Sequence, residues 1–134
     1  MAEAVSATPQ LRKLGIVPGA RWSVVGADPG WGFELAPDAA AEVAASAPAD
    51  VVVAFARTSA ELVAQLDAGE KRIFPAGALW IAWPRKAAGH VSELGDTLVR
   101  ETALARNRVV DTKVAALDHD WSALRFVWRV EYRR

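Results

Sequence analysis

The sequence predicts an α/β fold: a mainly parallel sheet of about five strands, in the order 1-2-3-5-4, closed by a C-terminal antiparallel hairpin. Three observations carry this expectation. The runs VVVAFA (51–56) and ALWIAW (78–83) are apolar without alternation, as strands buried on both faces are. A segment with helical periodicity follows each of them. From Val109 onward the pattern changes to period two with one polar face, the mark of antiparallel strands half exposed to water.

Each element has its own local reason. Residues 1–8 are small and polar and are expected to fray, leaving 9–134 as one α/β domain. Leu11, Leu14 and Ile16 line a short helix that Pro18 and Gly19 stop. Arg21–Ala27 is a first strand, followed by the turn-rich ADPGWG and an Ala-rich helix over Asp38–Ala47 with Asp38 as its N-cap. After the second strand, Thr58-Ser59-Ala60-Glu61 fits a capping box, with Glu61 reaching back to the Thr58 amide. Leu62, Val63 and Leu66 give that helix its apolar stripe, and Gly69 ends it. The third strand is Ala78–Trp83. Leu94, Leu98, Thr102 and Ala105 then recur at helical spacing, with Asp96 and Arg100 as an outer i,i+4 charge pair. The hairpin comprises Val109–Leu117 and Leu124–Tyr132, joined by the turn residues Asp118–Ser122.

Composition removes several function classes. Sixteen basic and sixteen acidic side chains cancel, so no net field draws the chain to nucleic acid or to an anionic membrane. Cysteine is absent, which excludes disulfides and thiolate chemistry. The start, MAEAVSATPQLRKLG, lacks a basic stretch followed by an apolar run, and no apolar stretch approaches the ~18 residues of a membrane helix. A cytoplasmic protein is the expectation.

Parallel strands ending in an antiparallel hairpin resemble the C-terminal half of class I S-adenosylmethionine-dependent methyltransferases. From Arg12 to Arg129 the chain also resembles an uncharacterised family of small bacterial proteins, a domain of unknown function, through RKLGIVPG, ADVVVAFARTSAEL, GALWIAWPRK and VVDTKVAALDHDWSALRFVWR. The methyltransferase resemblance implies glycines after the first strand, for close approach to the cofactor, and an acid after the second strand for its ribose. Here the turn reads Gly26-Ala27-Asp28-Pro29-Gly30-Trp31-Gly32, with a proline and a bulky indole in the cradle. The 23 residues of 27–49 leave no strand for a ribose-binding acid. S-adenosylmethionine is therefore not expected in the usual mode, and no cofactor is assigned.

In open α/β sheets ligands favour the carboxyl ends of the strands. The loops leaving that edge bring Asp28, Trp31, Arg57, Arg85, Lys86 and His90 together, beside Thr58 at a helix start and Trp83 at a strand end. Three cations near a helix N-terminus suit a small anion such as phosphate or carboxylate. The plainer alternative is solvated charges, with Thr58 only a cap. Asp118-His119-Asp120 reads as a turn, not a metal site, and no G-x-S-x-G elbow, P-loop or HExxH motif occurs. No catalytic residue is assigned.

Trp80 and Trp83 must point to opposite sheet faces. With the helices on one face, the other needs a cover: the N-terminal segment, a second copy or another partner. A homodimer or protein partner on that second face is the expectation. The reading is a non-catalytic module that docks a partner, with a small enzyme or nucleotide-binding protein using the same edge as the alternative.

Overall fold

Strands β1 (Arg21–Val25), β2 (Ala41–Glu42), β3 (Val51–Phe55), β4 (Ala78–Pro84), β5 (Val109–Ala116) and β6 (Trp121–Trp128) form one sheet in the order β2-β1-β3-β4-β6-β5. The computed structural model describes residues 9–133, so the fraying expected of 1–8 lies outside the described residues. β1, β2, β3 and β4 are parallel, and β6 inserts antiparallel between β4 and β5. The five expected strands keep their relative order, and a sixth, β2, is added at the edge.

That sixth strand replaces the helix expected over 38–47. The Ala-rich segment has no apolar stripe to hold a helix down. Its amides go instead to the sheet: Ala41 N–H donates to Ala20 O and Val43 N–H to Trp22 O, both at 2.8 Å. Asp38 is therefore no N-cap. The chain then crosses to β3 as a coil pinned by Arg72, whose guanidinium donates to the Ala44 and Ala47 carbonyls at 2.7 Å.

Helices α2 (Ser59–Ile73) and α3 (Asp96–Leu104) cover one face. Gly69 does not end α2. It is buried inside the helix, where a Cβ would meet Leu79 Cδ1 at 2.7 Å, so it lets the helix approach β4 closely. Glu61 closes the capping box one residue earlier than expected, accepting from Arg57 N–H at 2.7 Å, while the Thr58 hydroxyl accepts from Glu61 N–H at 3.1 Å. α3 buries Val99 and Ala103, and Leu98 is left 38% exposed. Its Arg100 pairs with Asp96 as expected, at 3.9 Å, and more closely with Asp111 on β5 at 2.9 Å. Under these helices lie Val52, Ala54, Leu79, Ile81, Trp83, Leu124 and Phe126.

The hairpin is displaced toward the turn. β6 starts at Trp121, and Val130–Tyr132 form a 3-10 turn instead of its end. A bulge between Asp111 and Lys113 interrupts the alternation of β5 and leaves Val114 half exposed.

The second face is covered largely from within the chain. Helix α1 (Gln10–Leu14), stopped by Gly15 at φ 86° and not by Pro18, lays Leu14 and then Ile16 against β3 and β4. The Trp80 indole donates to Leu14 O at 3.0 Å and is fully buried. The loop between β1 and β2 contributes Phe33 and Trp31 to a run of edge-to-face aromatics, Trp22–Phe33–Trp31–Phe55–Trp121, whose other members lie on β1, β3 and β6, with centroids 4.7–5.3 Å apart. Helix α1, Ile16 and this loop thus supply much of the cover that the second face needs. No helix among the described residues is long and apolar enough to cross a membrane.

Candidate functional site

The carboxyl edge of β1, β3 and β4 collects four segments: the β1–β2 loop, the Ala56–Thr58 turn, the β4–α3 loop and the Leu117–Asp120 turn. The last follows from topology, because β6 runs antiparallel to β4 with Pro84 opposite Trp121. Asp118, Asp120 and Trp121 are therefore edge residues. The sequence predicts the hairpin beside the third strand, but no local pattern marks that its turn returns to this end.

Arg57 anchors one half of this edge. Its guanidinium reaches Asp28 at 2.5 Å and sits 4.7 Å above the Trp121 ring. Trp31 donates its indole N–H to Asp118 Oδ2 at 2.9 Å, and Asp118 Oδ1 accepts from the Asp120 and Trp121 amides at 2.9 Å each. Asp118 thus shapes the turn and ties it to the β1–β2 loop.

The second half of the edge is joined in the same way. Arg85 donates through its backbone N–H to Asp120 O at 2.8 Å and through Nη1 to His119 O at 2.9 Å. His90 Nε2 lies 2.9 Å from Asp120 Oδ1. That hydrogen bond, with His119 and Arg85 nearby, holds the Asp120 carboxyl below the usual carboxylate range. Lys86 opens a 3-10 turn with its side chain in solvent.

The N-terminus of α2, the natural seat for an anion, already holds one. Glu93, from the β4–α3 loop, accepts from Ser59 N–H at 2.5 Å, and Glu61 accepts from Arg57 N–H. Neither glutamate is among the candidate ligand-binding residues that the sequence predicts. Glu61 was legible as half of a capping box, whereas Glu93 had no local signal.

Of the sequence-predicted residues, Asp28, Trp31 and Arg57 gather at one side of this edge, and Arg85 and His90 at the other. Thr58 acts as a helix cap. Trp83 does not face the site: it is buried in the helix-side core with Leu94 and Leu124.

The residues do not fit S-adenosylmethionine in the mode the resemblance implies. Gly26, at φ 78°, has the glycine turn's geometry, but a Cβ there would lie 2.7 Å from Gln65 Nε2. The Gln65 amide fills that space and donates to Phe55 O at 2.9 Å. The expectation that no strand could carry a ribose-binding acid is corrected by β2, which ends on Glu42. Yet Glu42 pairs with Trp22, three residues before the end of β1. At ~3.3 Å per residue it stops about 10 Å short of the carboxyl edge. Among the described residues no three His, Asp or Glu side chains gather to hold a metal ion.

No protein-family model matches the chain, and a search of curated proteins finds no match. Solved structures do match. Methanococcus jannaschii fibrillarin, a pre-rRNA processing protein, aligns with TM-score 0.54 and 8% identity over 84% of this chain and 68% of its own. The N-methyltransferase NodS from Bradyrhizobium japonicum WM9, in complex with S-adenosyl-L-homocysteine, aligns with TM-score 0.50 and 14% identity over 87% of this chain and 83% of its own. At these identities the likeness is one of fold: the chain is a methyltransferase-like, Rossmann-like α/β module.

Proposed function

We propose that this chain is a non-catalytic methyltransferase-like module whose strand carboxyl edge serves as structure. One observation carries the reading: the groups that would receive an anion there are engaged by the protein's own carboxylates. Glu93 sits on the α2 N-terminus and Asp28 on Arg57. A ligand would have to displace both. Calorimetric titration with S-adenosylmethionine, S-adenosyl-L-homocysteine, ATP and inorganic phosphate tests this, with no saturable heat as the expected result. Saturable binding of any of them, lost in Arg57→Ala, would overturn it.

A second reading, an anion or nucleotide site at the same edge, is favoured by Lys86, exposed on the loop that also carries Glu93. It requires Glu93 to leave. In Glu93→Ala the α2 amides are freed, and phosphate should then raise the melting temperature if this reading holds.

The module also self-associates in this proposal. The apolar side chains Phe74, Val130 and Tyr132 are exposed around Trp128, with ring centroids 5.0 Å and 6.1 Å from it. A second copy is the partner chosen because a chain of zero net charge approaches its own kind without repulsion. The edge strand β5 is a poorer contact, since its bulge and the exposed Lys113 oppose strand addition. Sedimentation should show a concentration-dependent mass that Phe74→Ser reduces. A clean monomer at micromolar concentration would remove self-association and leave the non-catalytic reading standing.

A further inference from the structure

We propose that the groove at the amino half of the second sheet face binds a small monoanionic carboxylate with an unbranched apolar body, Arg125 taking the carboxylate. The groove encloses about 360 Å³, within the range of small-molecule sites. Its floor is built by three adjacent strands: Val51 and Ala78, paired in register on β3 and β4, and Arg125 on β6 opposite Trp80. One wall is the end of α1 and the turn that follows it, with Leu14, Val17, Pro18 and Ala20. That turn is pinned at its far end, where Gly19 N–H donates to Ala39 O at 2.8 Å. The site lies at the end of the sheet opposite the carboxyl edge, so it is independent of the reading given above.

Apolar walls by themselves would suit any greasy molecule; Arg125 selects. Its Nη1 donates to the Thr112 hydroxyl at 3.0 Å, and among the described residues no carboxylate pairs with it. Lys113 lies on the same face, its ammonium 5.6 Å from the Trp80 ring centre, and Arg133 is close enough to repel Arg125. The carboxylate that does line the groove, Asp50, is held by Arg21 through its backbone N–H at 2.8 Å and its guanidinium at 3.1 Å. The groove is therefore electropositive at the Arg125 end of its floor, with guanidinium donors to spare. A carboxylate takes two parallel N–H bonds from a guanidinium. A phosphate dianion needs more donors than one fork offers, and it meets Asp50 at the opposite side. A single charge on an apolar body is the chemistry that fits.

The experiment is an NMR titration of the full chain with butanoate, hexanoate and octanoate, and with hexanol, octanol and hexyl phosphate as controls. Expected are shifts confined to Leu14–Ala20, Val51, Ala78 and Arg125, and an affinity rising about fourfold per methylene until the groove is full. Octanoate should bind at least tenfold tighter than octanol. Arg125→Met, which keeps the stem's packing, should remove that difference. Val17→Glu, a surface change at the rim, should weaken octanoate with no effect on octanol, and so guards against an Arg125 variant that fails to fold. Equal binding of octanol and octanoate, tighter binding of hexyl phosphate, unchanged octanoate affinity in Arg125→Met, or shifts mapping elsewhere would each overturn the assignment.

Discussion

The carboxylate of Glu70, wholly buried on α2, receives two hydrogen bonds of 3.0 Å from the guanidinium of Arg106, in the turn between α3 and β5. Arg108 adds a third contact at 3.4 Å, and Arg106 also pairs with Asp67. These carboxylates push the Arg106 pKa upward. The backbone carbonyl of Glu70 accepts from the Trp128 indole at 2.7 Å, so one helical turn joins α2 to the start and end of the hairpin. Glu70→Ala leaves Arg106 beside a cavity with Asp67 as its remaining partner and should cost about 3 kcal/mol, the lower end for breaking a buried pair. Denaturant unfolding measures it. Replacing both residues with apolar ones should cost less than Glu70→Ala does, because no buried charge is then left and the partners that lose a contact, Asp67 and Arg108, are open to water.

Gly69→Ala should destabilise the protein, although alanine is the better helix former. A methyl there would press on Leu79, itself fully buried, and overpacking of this kind costs ~1–3 kcal/mol. In a Leu79→Ala background the same substitution should become stabilising by up to ~1 kcal/mol, the propensity difference alone. A sign that does not reverse between the two backgrounds would place the strain elsewhere.

Trp31 is the clasp of the β1–β2 loop, held by Asp118 and wedged between Phe33 and Phe55. Trp31→Ala should cost about 2 kcal/mol, less than a fully buried tryptophan because this one is only partly buried. Amide exchange should accelerate in 28–40 and around Trp121 while α2 and α3 keep their protection. Uniform acceleration would mean that the loop unfolds only with the whole domain.

Asp50 gives stability a definite pH dependence. Hydrogen bonds from the Arg21 side chain and backbone hold its carboxyl below the ordinary value of ~3.9. The unfolded state therefore takes up a proton first as pH falls. The contribution is complete above the ordinary carboxylate range and is lost as pH drops through the lowered folded value. Melting curves of the wild type and Asp50→Asn should differ at pH 6 and converge toward pH 2. A gap that persists at pH 2 would show that packing, not charge, separates them.

Much of the sheet is legible from local pattern. VVVAFA and ALWIAW are too apolar for anything but central strands, and the opposite facing of Trp80 and Trp83 follows from a two-residue period. Thr58 announces its helix through cap chemistry that needs no distant contact. These features depend on neighbours in sequence, and so the sequence by itself determined the fold class, the central strands and the antiparallel close. Only the tertiary structure decided how the edges are used. Ala41–Glu42 becomes a strand because Ala20 and Trp22 offer carbonyls, Gly69 stays within its helix because Leu79 leaves room for nothing larger, and Arg57 is neutralised by Asp28, 29 residues away in the chain. The anion seat at Ser59 is likewise filled by Glu93, 34 residues downstream. Pairings across such separations depend on where the folded backbone carries each group, and no local periodicity records them.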